Sequence, residues 1–199
     1  MPAQESKMIQ RTCNMLARAL EGEGNERAFI VSFSSEDPDK CWRGVEIMDH
    51  GPGAADLERL KSMGVVLFNH ERNRVLGKVR RAWIEDSRGC AEIEFDTDAD
   101  AEVIFQKVKS ETLKGISVCA RVSVWEDVNA GEKSTDGRFD GPCSIARKWE
   151  ALEISIATIP ADATVGVNRT LEDGNENSVT RSYCDRVIQI LQLQGGNAQ

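Results

Sequence analysis

The sequence predicts a mostly β domain with flanking helices, an α+β chain whose strands form a compact closed or nearly closed barrel. Three features point that way. Short segments with apolar residues at every second position recur along the chain, and most are half polar, as strands with one buried face should be. Segments with helical periodicity are few. With 199 residues, 40% of them hydrophobic and 29% charged, the chain is long enough for one domain with its own core.

Residues 6 to 20 carry Met8, Ile9, Leu16 and Leu20 at helical spacing, so a short amphipathic helix is expected before "EGEGNE". "RAFIVSF" and "RGVEIM" read as strands bracketing the turn-rich "SSEDPDKCW". "AADLERLKSMG" places Leu57, Leu60 and Met63 on one helical face, with Gly64 as the stop. "VVLFN", "GKVRRAWIE" and "CAEIEFD" are the next strands. "TDADAEVIFQKVKSETLKG" is the strongest helix: Thr97 and Asp100 stand at capping-box spacing, Ile104, Val108 and Leu113 form the apolar stripe, and Gly115 closes it.

Directly after that glycine, "ISVCARVSVW" alternates strictly, with Ile116, Val118, Ala120, Val122 and Val124 opposite Ser117, Cys119, Arg121 and Ser123. The polar stretch 126 to 148 is expected as a long mobile loop or ragged hairpin, placed near a substrate cleft because it joins two strands of interest. "WEALEISIATIP" alternates again, with Leu152, Ile154 and Ile156 opposite Glu153, Ser155 and Ala157. Beyond Val167 a linker leads to a final short helix in "SYCDRVIQILQLQ". The predicted organisation is an N-terminal helical extension (1–27), a barrel domain (28–169), and a linker with a C-terminal tail (170–199).

Composition removes several function classes. Acidic residues outnumber basic ones 33 to 25, a net charge of -8, which disfavours direct nucleic-acid binding. No apolar run approaches the ~20 residues of a membrane span, and the N-terminus lacks the layout of a signal peptide, so the chain is expected in the cytoplasm. Six dispersed cysteines without a CxxC pair read as free thiols, and with only two histidines no metal site is expected. No phosphate loop or dinucleotide fingerprint occurs, so no cofactor is expected.

Three residues could do chemistry together. Ser117 and Glu153 each lie on the polar face of an alternating strand, and His70 ends the apolar "VVLFN". A serine hydroxyl is a poor nucleophile until a base removes its proton. Imidazole suits that task, and a carboxylate on its other nitrogen fixes the tautomer. Each residue also has an ordinary explanation: a solvated serine, a hydrogen-bonded structural histidine, the exposed half of a strand. Spacing alone leaves those open. His50, before a glycine-proline turn, reads as structural, and Cys119 stands as a rival nucleophile.

The stretch from Phe29 to Val167, with its "FNHE", "KGISV" and "EISIATIPAD" motifs in that order, resembles the prohead maturation proteases of tailed bacteriophages, serine endopeptidases related in fold to the herpesvirus assemblins. The resemblance implies a compact assemblin-like closed β-barrel. It implies His70 as general base, Ser117 as nucleophile and Glu153 as the third member, with Glu150 a near competitor. It implies no cofactor and, as protein substrates, the scaffold or the scaffolding segment of the major capsid protein, together with the protease itself. The place implied is the host cytoplasm, within the assembling procapsid, and a homo-oligomer fits the relatives. The alternative is a catalytically inactive scaffold-binding protein on the same fold.

The basic loop that stabilises the oxyanion in the herpesvirus relatives has no counterpart in "TIPADATVG". Backbone amides around Ala161 and Asp162, or the side chain of Arg121, are the expected substitutes.

Overall fold

The computed structural model describes residues 6–14, 17–20, 22–41 and 44–158. Its framework is one 11-stranded sheet built around a long antiparallel pair, β10 (Gly115–Val128) and β11 (Cys143–Ala157). The elements that precede them are β1 (Lys7–Asn14), β2 (Ala17–Ala19), β3 (Ala28–Ser35), β4 (Asp39–Cys41), β5 (Gly44–Met48), β6 (Ala55–Asp56), α1 (Glu58–Met63), β7 (Val65–Phe68), β8 (Glu71–Glu85), β9 (Arg88–Phe95) and α2 (Ala99–Lys109). Their order across the sheet is β1-β10-β11-β7-β8-β9-β3-β2. β5, β6 and β7 all run parallel to β11.

The sheet curls so that Val31, Phe33, Leu76, Ile93, Ile116, Val118, Ile154 and Ile156, all fully buried, form one core from strands far apart along the path. The expected mostly β architecture with few helices is present. The expected closed barrel appears as a curled sheet, because among the described residues no pairing joins its two ends, β1 and β2. Those ends are successive in the chain, with only residues 15 and 16 between them.

The helix expected over residues 6 to 20 is replaced by two strands, β1 and β2. Ile9 and Arg11 face inward and are buried, whereas Met8 and Gln10 are exposed, a period of two. Arg11 obscured that period, because a guanidinium rarely marks a buried face. Here it is held by Asp39 at 3.3 Å and by Glu46 at 3.4 Å. Within the segment expected as an N-terminal extension (1–27), Lys7–Asn14 pairs with β10 and Ala17–Ala19 with β3.

α1 and α2 lie where helices are expected, with Leu60, Ile104 and Val108 buried. The cap of α2 is Asp98 rather than Thr97: its carboxylate accepts from the backbone N–H of Asp100 at 3.0 Å and Ala101 at 3.2 Å. β10 keeps its predicted alternation up to Val122, then a register shift turns Val124 outward, 41% exposed. A second shift, between Cys119 and Ala120, leaves Leu152 without a cross-strand partner and only half buried.

The predicted long loop is shorter, since β10 runs to Val128 and β11 begins at Cys143. It is tied down by charge: Arg138 meets Glu36, Asp49 and Asp136, and Arg147 meets Asp49, Glu126 and Asp136. It sits at the opposite end of β10 from Ser117, not beside it. The final short helix predicted past Val167 lies outside the described residues.

His50 braces its turn, as expected. It is buried, its Nδ1 donates to the Met48 carbonyl at 2.9 Å, its Nε2 accepts from the Ser34 hydroxyl at 2.8 Å, and its ring stands edge-on to Trp149. Burial pushes its pKa down from 6.5 to about 4. The unfolded chain therefore binds one more proton than the folded one between those values, and stability falls as pH drops through that window. The expected loss attributable to His50 between pH 7 and 4.5 is roughly 2.5 kcal/mol. Urea unfolding at both pH values should show that extra acid sensitivity in the wild type and not in His50→Gln.

Candidate active site

Three strands and one turn assemble the site. In β10, Ser117 lies directly between Thr12 of β1 and Ser155 of β11, and Cys119 is opposite Glu153. Glu153 and Ser155 thus share a face of β11, as strand alternation requires. The preceding Gly115 lets the two strands approach: a Cβ there would run into the Ala157 carbonyl oxygen. β11 pairs on its other side with β7 through Ile154–Val66, Ser155–Leu67 and Ile156–Phe68, which brings the end of β7 to the carboxylate.

The histidine is placed by a tight turn. Phe68 pairs with Glu71, leaving Asn69 and His70 as the two linking residues, with φ of 49° and 62°. Two successive positive φ values are the pattern of a type I′ hairpin, which suits the twist of the flanking strands. Asn accepts that conformation more readily than most residues. Three hydrogen bonds fasten the turn to β11 and the residue after it. The Asn69 N–H donates to the Ile156 carbonyl at 3.0 Å, and the Thr158 N–H to the Asn69 side-chain oxygen at 3.0 Å. The His70 N–H donates to Ser155 Oγ at 3.0 Å. His70 is thereby folded back over the sheet instead of continuing β7.

The side chains of Glu153, His70 and Ser117 form a continuous chain. Glu153 Oε1 lies 2.5 Å from His70 Nδ1, and His70 Nε2 lies 2.8 Å from Ser117 Oγ. A carboxylate only accepts, so Nδ1 carries the proton and Nε2 is left as an acceptor facing the hydroxyl. Ser117 is fully buried, while the His70 and Glu153 side chains are 16% and 13% exposed, so the imidazole and carboxylate form the open rim. Ser117 Oγ is also 2.9 Å from the Arg11 carbonyl of β1. One hydroxyl proton cannot serve both acceptors, and when it turns to Nε2 the imidazole is placed to take it as a base.

Other expected residues lie elsewhere. Glu150 accepts from Arg59 at 2.8 Å and Arg121 at 3.2 Å, so Glu153 is the carboxylate that meets the imidazole. Arg121 is four residues along the strand from Ser117, roughly 13 Å at strand rise, and lines a separate cleft with Gly53 and Asp56. Ala161 and Asp162 lie outside the described residues. Cys119 is half buried, and burial, reinforced by Glu153, raises its thiol pKa, the wrong direction for a thiolate nucleophile. Among the described residues no three His, Cys, Asp or Glu side chains converge as a metal site.

A cleft of about 410 Å³ opens beside His70 and Glu153, walled by Val65, Leu67, Val75 and Leu152, with Gln10 and Arg72 also lining it. Sequence reasoning missed this wall, because Leu152 belongs to the inner face until the register shift moves it. It also missed Ser155, whose signal was available: a polar residue two positions from Glu153 on the same strand face.

A model of the caudovirus prohead serine protease family matches residues 17–177, most of the chain. The chain belongs to that family. The major capsid protein of Halomonas phage phiHAP-1 is 29% identical over 148 residues, covering 71% of this chain. The chain spans only 23% of that relative's length. Among solved structures, the bacteriophage T4 capsid assembly protease, gp21, overlaps 79% of this chain and all of its own, at 7% identity and a TM-score of 0.47.

Proposed function

We propose that this prohead protease family member is a serine endopeptidase acting inside the assembling procapsid, with the scaffold or the scaffolding segment of the major capsid protein as substrate, and itself as a further one. The observation that carries the proposal is the unbroken Glu153–His70–Ser117 chain, at 2.5 and 2.8 Å. In this reading Ser117 Oγ attacks the scissile carbonyl carbon as its proton passes to His70 Nε2. The tetrahedral adduct collapses when His70 returns that proton to the leaving amine, giving an acyl-enzyme. A water then attacks the acyl carbon with the same base, and Ser117 is regenerated. Glu153 holds the ring and balances the imidazolium charge. Backbone amides near Ala161 and Asp162 serve the oxyanion, and the cleft at Val65, Val75 and Leu152 takes an apolar side chain of the substrate.

The reading extends to the fold and setting. Closure of the curled sheet into an assemblin-type barrel through β1 and β2, a homo-oligomer, and activity in the host cytoplasm without nucleic-acid contact are parts of it. The test is incubation of the purified protein with its capsid and scaffolding proteins, followed by mass spectrometry of new N-termini, beside labelling with a fluorophosphonate. Discrete new termini and a label on Ser117 are expected. Neither cut nor label would leave an inactive scaffold-binding protein, a reading that the complete burial of Ser117 favours.

A further inference from the structure

Ser155 has no exposed surface, and its two side-chain hydrogen bonds go to the His70 turn and to the carboxylate that holds the His70 ring. Its Oγ accepts from the His70 backbone N–H at 3.0 Å and donates to Glu153 Oε2 at 2.8 Å. Glu153 Oε1 in turn meets His70 Nδ1 at 2.5 Å. These contacts make a closed ring: backbone N–H of His70, hydroxyl of Ser155, carboxylate of Glu153, ring N–H of His70. Every role in it is fixed by chemistry. An amide nitrogen only donates and a carboxylate only accepts, so the Ser155 proton has one direction.

We propose that Ser155 is a positioning residue that clamps Glu153 and the His70 turn into one rigid unit, so that Nε2 stays aimed at Ser117. Two features of the ring require such a clamp. Glu153 has three side-chain torsions, and one bond to an imidazole leaves it free to swing. The His70 amide belongs to a turn with two positive φ angles, which persists only where its surroundings hold it. Ser155 answers both demands with one oxygen. An alanine in its place leaves the amide without this partner and one carboxylate oxygen without its donor, and the imidazole then samples poses that miss the hydroxyl.

This inference rests on the protease reading for its kinetic part, and the experiment separates the two. In Ser155→Ala, kcat should fall on the order of 10- to 100-fold with KM unchanged, and Ser155→Thr, which keeps the hydroxyl, should restore most of it. Independently of activity, the His70 Nδ1 proton should give a far-downfield resonance in protein carrying nitrogen-labelled histidine. That resonance should move upfield or broaden in Ser155→Ala and persist in Ser155→Thr. An unmoved resonance with unchanged kcat in Ser155→Ala overturns the clamp. If Ser155→Ala does not fold, Ser155→Cys fills the same space with a weak donor and is judged by the same two readouts. A resonance that shifts in a chain that neither cuts nor labels would uphold the clamp and reject the protease.

Discussion

Ser117→Ala should lower kcat by at least ~10⁴-fold while leaving the fold in place, because in the proposed mechanism it deletes the oxygen that forms the acyl bond. The alanine methyl fits the same buried space, and the lost hydroxyl contacts cost about 1 kcal/mol or less. Steady-state cleavage of the capsid-protein substrate gives the first number and thermal unfolding checks the second. Cys119→Ala should retain activity, since its thiol is pushed away from the reactive thiolate and no imidazole nitrogen meets it. Retained turnover in Ser117→Ala, or its disappearance in Cys119→Ala with the fold intact, would move the nucleophile two residues along the strand.

Glu153→Gln is expected to cost on the order of 10³- to 10⁴-fold in kcat, for a reason the surrounding hydrogen bonds make specific. A carboxamide has one accepting and one donating end. If its oxygen meets His70 Nδ1, its NH₂ confronts Ser155 Oγ, which already receives the His70 N–H and has lost the acceptor for its own proton. If it flips, the oxygen satisfies Ser155 and the NH₂ faces Nδ1, forcing the ring into the tautomer with its proton on Nε2. That tautomer donates toward Ser117 and cannot accept. Both orientations fail, so the loss should appear in kcat with KM little changed. Glu150→Gln, whose carboxylate serves Arg59 and Arg121, should be nearly neutral. A reversal of those two results would reassign the carboxylate.

Sequence periodicity located most of the sheet because the residues that alternate in β10 and β11 are those whose inner face is completely dry. It failed where a side chain broke the equation of buried with apolar. Arg11 faces inward with carboxylate partners some 30 residues away in the chain, so the first strand looked helical. Register shifts, which depend on the neighbouring strand, turned Val124 and Leu152 out of their predicted places. His70, Ser117 and Glu153 were nameable because only two histidines were available and because the motifs around them resemble those of the prohead proteases. Their convergence was not legible. It comes from pairings between residues 40 to 90 positions apart and from the doubled left-handed turn at Asn69 and His70. Ser155 could be placed on the Glu153 face by alternation, but its bond to the His70 backbone depends on the turn and could not be read.

The first strand bears on how this protein should be handled. Similarity to the family starts at residue 17, whereas Lys7–Asn14 are zipped to the strand that bears the serine. Trimming the gene to the region of similarity would strip one flank of that strand, exposing a row of ladder amides and carbonyls that invites neighbouring molecules to add on. It would also delete the Arg11 carbonyl beside the serine oxygen. A shortened protein that precipitates or reacts sluggishly would then be reporting on where the scissors fell, not on the chemistry of the family.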